Sequence, residues 1–382
     1  VATTIVNAKV FDGTTSRDWT SVRFVDGLIT ECSAASAARD GDEVIDAAGG
    51  TVLPGLIDSH VHLVPGALVQ SLNSGVTTVL DMFSMPDKVA SAREQASRPD
   101  VADVRSAGVG ATAPGGHPSL MYDPFPTLTA ADQAARFVAD RIAEGSDYLK
   151  IFSGVGGLWP SLDPPAINAL VAAAHDRDLI VVAHVSSTAG IEEVVFAGVD
   201  VVAHIPLDAE LSRSLVERMA GIAVGPTLAT VENILGVNSR PYSRAQENVR
   251  LLADAGITLL AGTDAPNPGT VFGESLHREL ELLVRCGLSP AQALAAATSS
   301  PARVFGLADR GRVAAGQRAD LVLVSGDPLA EISAVRGIER IWRGGTPCDR
   351  QPFVPSPAEA EQLAAFDARI AQAVAAVRRP RR

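Results

Sequence analysis

Hydrophobic and polar positions change rhythm twice along the chain. Residues 1–50 run in short alternating stretches, TTIVNAKVFDG, TSVRFVDGLITECS and DEVIDAAGG. The Asp12-Gly13 and Asp26-Gly27 steps are hairpin-turn pairs, so this part predicts a small all-β unit. From Thr51 the pattern becomes near-continuous apolar runs separated by polar loops and amphipathic stretches. Eight runs read as strands: 52–57, Val76–Leu80, Val104–Gly108, Tyr148–Phe152, Leu179–Ala183, Val199–Ala203, Gly221–Val224 and Thr258–Ala261. Among the helical stretches between them, Thr129–Glu144 has the clearest apolar period, and Thr129 with Asp132 resembles a capping box. Past the eighth run, Ser289–Ser300 is Ala-rich and helical, and Gly311–Pro347 returns to short β segments. Ser356–Ala376 predicts an amphipathic helix packed on the surface or on a partner subunit, the latter making a homo-oligomer.

Apolar strands alternating with helices imply a parallel sheet covered by helices. Eight such units in about 250 residues match the count and size of a (β/α)8 barrel, with a doubly wound open sheet as the alternative. One local repeat supports this: LIVVAH, ending at His184, recurs as VDVVAH, ending at His204. A helix over Ser187–Gly198, about 18 Å long, returns the chain to the bottom of the sheet. The two histidines are then expected at one height on adjacent strands. The expected partition is a β part at 1–52, the barrel at 53–308, a second β part at 309–350 and a helical tail at 351–382.

A net charge of −12 argues against a nucleic-acid groove, and the terminal RRPRR reads as a small solvated tail. No segment is long and apolar enough to span a membrane, and Val1–Lys9 lacks the basic-then-apolar pattern of a signal peptide. Cys32, Cys286 and Cys348 are odd in number and widely spaced, which favours a reducing cytoplasm over a disulfide framework. The expected partner is a small-molecule substrate.

The chemistry gathers at strand ends. PGLIDSHVHL presents His60 and His62 two apart, on one side of an extended strand, as half of a divalent-metal site. Lys150 stands in the apolar run Tyr148–Phe152, where its ammonium would be desolvated. A neutral amine there can add carbon dioxide to form an anionic carbamate; the ordinary alternative is a lysine that snorkels to water. His184 and His204 end the fifth and sixth runs, and Asp264 follows the eighth in LLAGTDAPNP. Asp264 reads as a metal-bound carboxylate and proton acceptor, or else as a helix cap. His117, in ATAPGGHPS, faces the substrate and polarises a carbonyl oxygen, or is an ordinary loop histidine. His175 and His277 are expected on solvated helix faces. Ala113–Thr127, Gly154–Asp163 and Leu228–Tyr242 are expected to shape the pocket with Tyr122, Phe125, Trp159 and Tyr242. Arg240 and Arg244 are candidate carboxylate anchors or surface charge. Gly154–Gly157 lacks the lysine and spacing of a phosphate loop.

Taken together, PGLIDSHVHL, the lysine of the fourth strand, the two strand-end histidines, GTDA and SPARVFGLADRGRVAAGQRADLVLVSGDPL resemble the amidohydrolase superfamily. The resemblance implies a (β/α)8 barrel with a small β-sandwich built from both chain ends. It also implies two divalent ions, most simply zinc, held by His60, His62, carbamylated Lys150, His184, His204 and Asp264. In the binuclear branch His60, His62 and Asp264 match the ligands of one ion, and His184 and His204 those of the other. GGH at 115–117 and GIAVGPTL at 221–228 resemble the imidazolonepropionase-like and Xaa-Pro dipeptidase-like subgroup, where the histidine matching His117 contacts the substrate oxygen. Dipeptidases of that subgroup carry a tyrosine where this chain has Ser186. The implied activity is hydrolysis of an amide or related C–N bond in a small, partly apolar molecule: an N-acyl amino acid, a dipeptide-like compound or a cyclic amide. Ester, lactone or phosphotriester cleavage at the same site, a single-metal site and a non-catalytic barrel are the alternatives.

Overall fold

The computed structural model describes residues 2–122, 124–153 and 159–378. Seven parallel strands make up two sheets. Leu56–Val61, Val76–Asp81 and Asp103–Ser106 pair in chain order, as do Leu149–Phe152, Val181–His184, Val201–Ala203 and Ala223–Gly225. Backbone hydrogen bonds join the two sheets at both edges. On one side the Ala111 N–H donates to Lys150 O (2.8 Å) and the Phe152 N–H to Ala111 O (2.9 Å). On the other, residues 258–265 lie between the seventh strand and the first. The Leu260 N–H donates to Val224 O (2.9 Å), and the Ser59 N–H to Ala261 O (3.0 Å). The pairing therefore returns on itself.

Three expected strands differ from this pattern. The run 52–57 divides: Thr51–Pro54 pairs with Leu321–Val324 of a terminal sheet, so the expected boundary at 52/53 moves to Gly55, and only Leu56–Val61 joins the parallel strands. Thr258–Ala261 makes one isolated bridge, at Leu259, in place of a ladder, because Gly262 and Asp264, the latter at φ 59°, turn the chain toward the first strand, where Ala265 bridges Val61. The third strand stops at Ser106, and the irregular stretch through Gly108 (φ 63°) hands the pairing to Ala111.

Alternation along these strands makes two cores, since successive side chains point to opposite faces. Ile57, Leu80, Val182, Val201, Ala223 and Leu260 share an inner cluster. Leu56, Val79, Ile151, Val181, Val202 and Val224 belong to the outer one, packed against the helices. The linking helices end as their sequences direct. In Thr188–Ala197 the Ser187 hydroxyl accepts from the Gly190 N–H, and Gly198 at φ 82° closes the last turn. The expected helix at Thr129–Glu144 is shorter. A 3-10 turn occupies Ala131–Gln133, the α-helix is Ala134–Ala143, and Gln133, not Asp132, reaches back to the Thr129 N–H (2.8 Å). The Ala-rich segment after residue 289 is two helices, Pro290–Ala296 and Ser299–Val304, broken where Thr298 leaves helical geometry.

Two further sheets come from the chain ends, one of four strands from residues 3–46 alone and one of six that joins Lys9–Phe11 and Thr51–Pro54 to Leu321–Val324 and Ile338–Arg343. They share a core of Ile5, Val22 and Phe24 with Val52, Leu323 and Trp342, and the Phe24 and Trp342 rings meet edge-on at 5.8 Å. The Asp26-Gly27 turn joins Ser21–Val25 to Leu28–Ser33 as its sequence predicts.

Asp103, at the start of the third parallel strand, accepts from Arg310 (2.5 Å) and Arg318 (3.0 Å) of the returning C-terminal segment. Burial alone would raise its carboxyl, but the charges and hydrogen bonds of these arginines hold it well below the usual carboxylate range. Asp103→Ala is expected to destabilise the fold by about 3 kcal/mol, read as a lower urea midpoint at neutral pH. A carboxyl depressed by folding stabilises fully above its unfolded pKa of about 4 and loses that contribution as pH falls through the folded value. The gap between wild type and variant should therefore narrow under acid. An unchanged midpoint would contradict this role.

Candidate metal centre

The same alternation aims polar side chains at one point. Lys150 lies between Leu149 and Ile151 of the outer core and so turns inward, and His184 follows Val182 of the inner core by two residues. His60 is in the first strand and His62 one residue past its end. The His60, His62 and Asp264 ligand atoms all lie within 4.8 Å of one another, a group suited to a metal ion. Asp264 Oδ1 is 3.3 Å from His60 Nε2 and 3.1 Å from His62 Nε2. His204 Nε2 is 3.1 Å from His184 Nδ1, and the His60 and His204 rings are 4.7 Å apart. The expected common height of His184 and His204 is off by one residue, because His184 pairs with Ala203. Their ring nitrogens nevertheless meet.

Burial sets the protonation. It holds His60 and His184 well below the usual imidazole range and lowers His204 to about 4, so these rings are neutral and have lone pairs to offer. Burial also brings Lys150 down to about 7. Its Nζ has no hydrogen-bond partner among the described residues. An unpaired amine in a dry interior is costly unless something else engages it. Burial opposes the Asp264 charge, but the imidazoles of His60 and His204 and the hydrogen bonds from His60 and His62 outweigh it, keeping the carboxyl well below its usual range. Neutral imidazoles, an ionised carboxylate and an orphaned amine fit divalent cations.

A supporting layer surrounds these groups. Asp58 accepts from the Thr263 N–H (3.0 Å), the Thr263 hydroxyl (2.7 Å) and the His60 N–H (3.2 Å), tying the first strand to the Asp264 loop. The loop comes this close because residue 262 is glycine: a Cβ there would stand 2.9 Å from that of His60. Thr227 Oγ1 is 2.5 Å from His204 Nδ1, and the Tyr122 hydroxyl is 3.0 Å from His62 Nδ1. Sequence reasoning assigned no role to Asp58 or Thr227. The short spacing of Asp58 to His60 was the one available signal.

His117 opens a short turn and stacks on His184 at 5.0 Å, with Trp159 edge-on at 4.8 Å. Burial lowers it to about 4. Tyr122, Trp159 and Ser186 line the cavity above the cluster, as do Val231 and Ile234. Phe125 instead packs on Phe83, and the Tyr242 hydroxyl donates to Glu232 (3.0 Å) away from the site. Arg244 pairs with Glu210 and Glu247, and Arg240 is exposed. His175 is on a helix surface beside Asp200. His277 is not solvated: it is buried, its Nε2 2.9 Å from Ser74 O, because its helix turns that face to the core. Gly154–Gly157 falls outside the described residues.

The Pro357–Arg378 helix, started by Ser356 and Glu359, lines this cavity with Phe366 and Ile370.

Residues 51–347 match the amidohydrolase family. Imidazolonepropionase of Anaeromyxobacter dehalogenans strain 2CP-1 is 30% identical over 349 residues, 76% of this chain and 79% of that protein. The crystal structure of a Xaa-Pro dipeptidase with bound methionine in its active site has a TM-score of 0.80 at 22% identity, covering 91% of this chain and 100% of that one. That of phenylurea hydrolase B also has a TM-score of 0.80 at 22% identity, over 93% and 100%. These likenesses give a TIM-barrel-like α/β fold.

Thr227→Val removes the group that orients His204 and retains the β-branched shape. It is expected to weaken metal retention about 10- to 100-fold in chelator competition, with Thr227→Ser close to wild type. Equal retention in all three proteins would show that the hydroxyl does not position the ring.

Proposed function

The chain belongs to the amidohydrolase family and is a hydrolase of C–N bonds; from that premise we propose that it cleaves an amide or related bond of a small, partly apolar molecule. We read the self-closing ring of parallel segments as a (β/α)8 barrel and the two terminal sheets as its β-sandwich. The observation that carries the reading is the orphaned Lys150 amine, buried beside neutral imidazoles and an ionised Asp264. His60, His62 and Asp264 would hold one divalent ion, and His184 and His204 the other. Lys150 would serve both as its carbamate. The ions, most simply zinc, supply a water of lowered pKa (from ~16 towards ~7) and a Lewis acid for the carbonyl oxygen.

The chain's own residues do the rest. Asp264, ionised at neutral pH, takes the proton of the attacking water and returns it to the departing nitrogen. His117, neutral and held against His184 and Trp159, donates an N–H to the carbonyl oxygen as its negative charge grows. The C–O bond forms, the C–N bond breaks, and an acid and an amine leave. The free thiols of Cys32, Cys286 and Cys348 accord with a reducing cytoplasm as the place of action.

Elemental analysis of protein supplied with zinc and bicarbonate is expected to find two ions per chain. Lys150→Ala should retain fewer and lose hydrolysis. Asp264→Asn should lower kcat by about 10²–10⁴. One ion per chain with full activity would support a single-metal site, and faster turnover of a matched ester or lactone would move the reaction to C–O bonds.

A further inference from the structure

Part of the wall of the cavity at the metal-ligand cluster belongs to the C-terminal helix. Phe366, Ile370, Ala373 and Val374 recur at helical spacing and line a cavity of about 190 Å³. The helix is fastened there: Arg369 donates to Met121 O (3.2 Å), Lys88 to Gln362 (3.3 Å), and the Phe366 ring lies 6.2 Å from that of Tyr122. Leu207, Val231 and Leu235 line the same cavity. Among the described residues no arginine or lysine lines the cavity, and Asp264 is its one carboxylate. The two arginines that could have anchored a substrate carboxylate, Arg240 and Arg244, lie outside it.

A carboxylate drawn against the Phe366, Ile370 and Val374 wall would lose its water and gain no arginine or lysine among the described lining residues, a costly transfer. Apolar groups gain from the same desolvation. We propose that the substrate is an uncharged amide whose apolar group rests against Phe366, Ile370 and Val374, and that N-acyl amino acids and dipeptides are rejected for their carboxylate. The proposal rests on the amide-hydrolase reading and narrows its substrate. Water adds to the carbonyl carbon, the C–N bond breaks, and the nitrogen takes a proton; nothing is oxidised or reduced.

The test uses the full chain loaded with zinc and three p-nitroanilides: acetyl, hexanoyl and the ω-carboxylated adipoyl. Turnover is followed by nitroaniline release. Binding of the matching plain anilides is measured by calorimetry in parallel. The hexanoyl compound is expected to exceed the adipoyl at least about tenfold in kcat/KM and in affinity. Phe366→Ala should lower the hexanoyl-to-acetyl ratio about tenfold. Ile370→Lys, checked for folding by circular dichroism, should narrow the gap between hexanoyl and adipoyl by raising the latter. Equal or better handling of the adipoyl compound by wild type, or an unchanged ratio in Phe366→Ala, overturns the proposal. Neutral-selective binding without any turnover would sustain the proposal while counting against the amide-hydrolase reading.

Discussion

Desolvation of polar side chains at one end of a strand ring is the constraint on which the rest depends. Lys150 and His184 each sit where the inward face of a strand would otherwise carry another apolar residue, and the His60 and His204 rings meet there. Removed from water, the imidazoles give up their protons and the lysine approaches neutrality, while Asp264 keeps its charge because it accepts from His60 and His62. The cluster costs folding energy as it stands. Such a cost is commonly offset at a functional site by the ligand that the groups were placed to hold.

The surrounding structure reads as the means of holding that arrangement. Asp58 and Thr263 lock the Asp264 loop to the first strand, and Gly262 lets the two backbones approach. Thr227 and Tyr122 meet the outward nitrogens of His204 and His62. At the far end, Asp103 and its arginines tie the ring to the segment that returns to the terminal sheets. Three quite different side-chain chemistries thus serve a single geometric end.

Much of this was legible in the sequence because local rules and the global fold agree. Apolar runs marked the strands, and the LIVVAH repeat put His184 and His204 on neighbours. Ser187 and Gly198 also bounded their helix where expected. What was not legible depends on contacts between distant segments. The loss of a regular eighth strand follows from how residues 262–264 bend toward His60. Thr227 gains meaning only once the sixth and seventh strands are side by side. His277 looked like a surface histidine until its helix was seen to pack that face inward. The last helix showed an apolar face but not what it covers, and its lining of the cavity gives it a place in substrate choice.

The most direct measurement of the central claim is a crystal structure of zinc- and bicarbonate-treated protein with anomalous scattering recorded at the zinc edge. Two peaks are expected, one beside His60, His62 and Asp264 and one beside His184 and His204, with a carboxyl group on Lys150 Nζ between them. A bare Lys150 amine directed away from these histidines, with no peak among them, would contradict that claim.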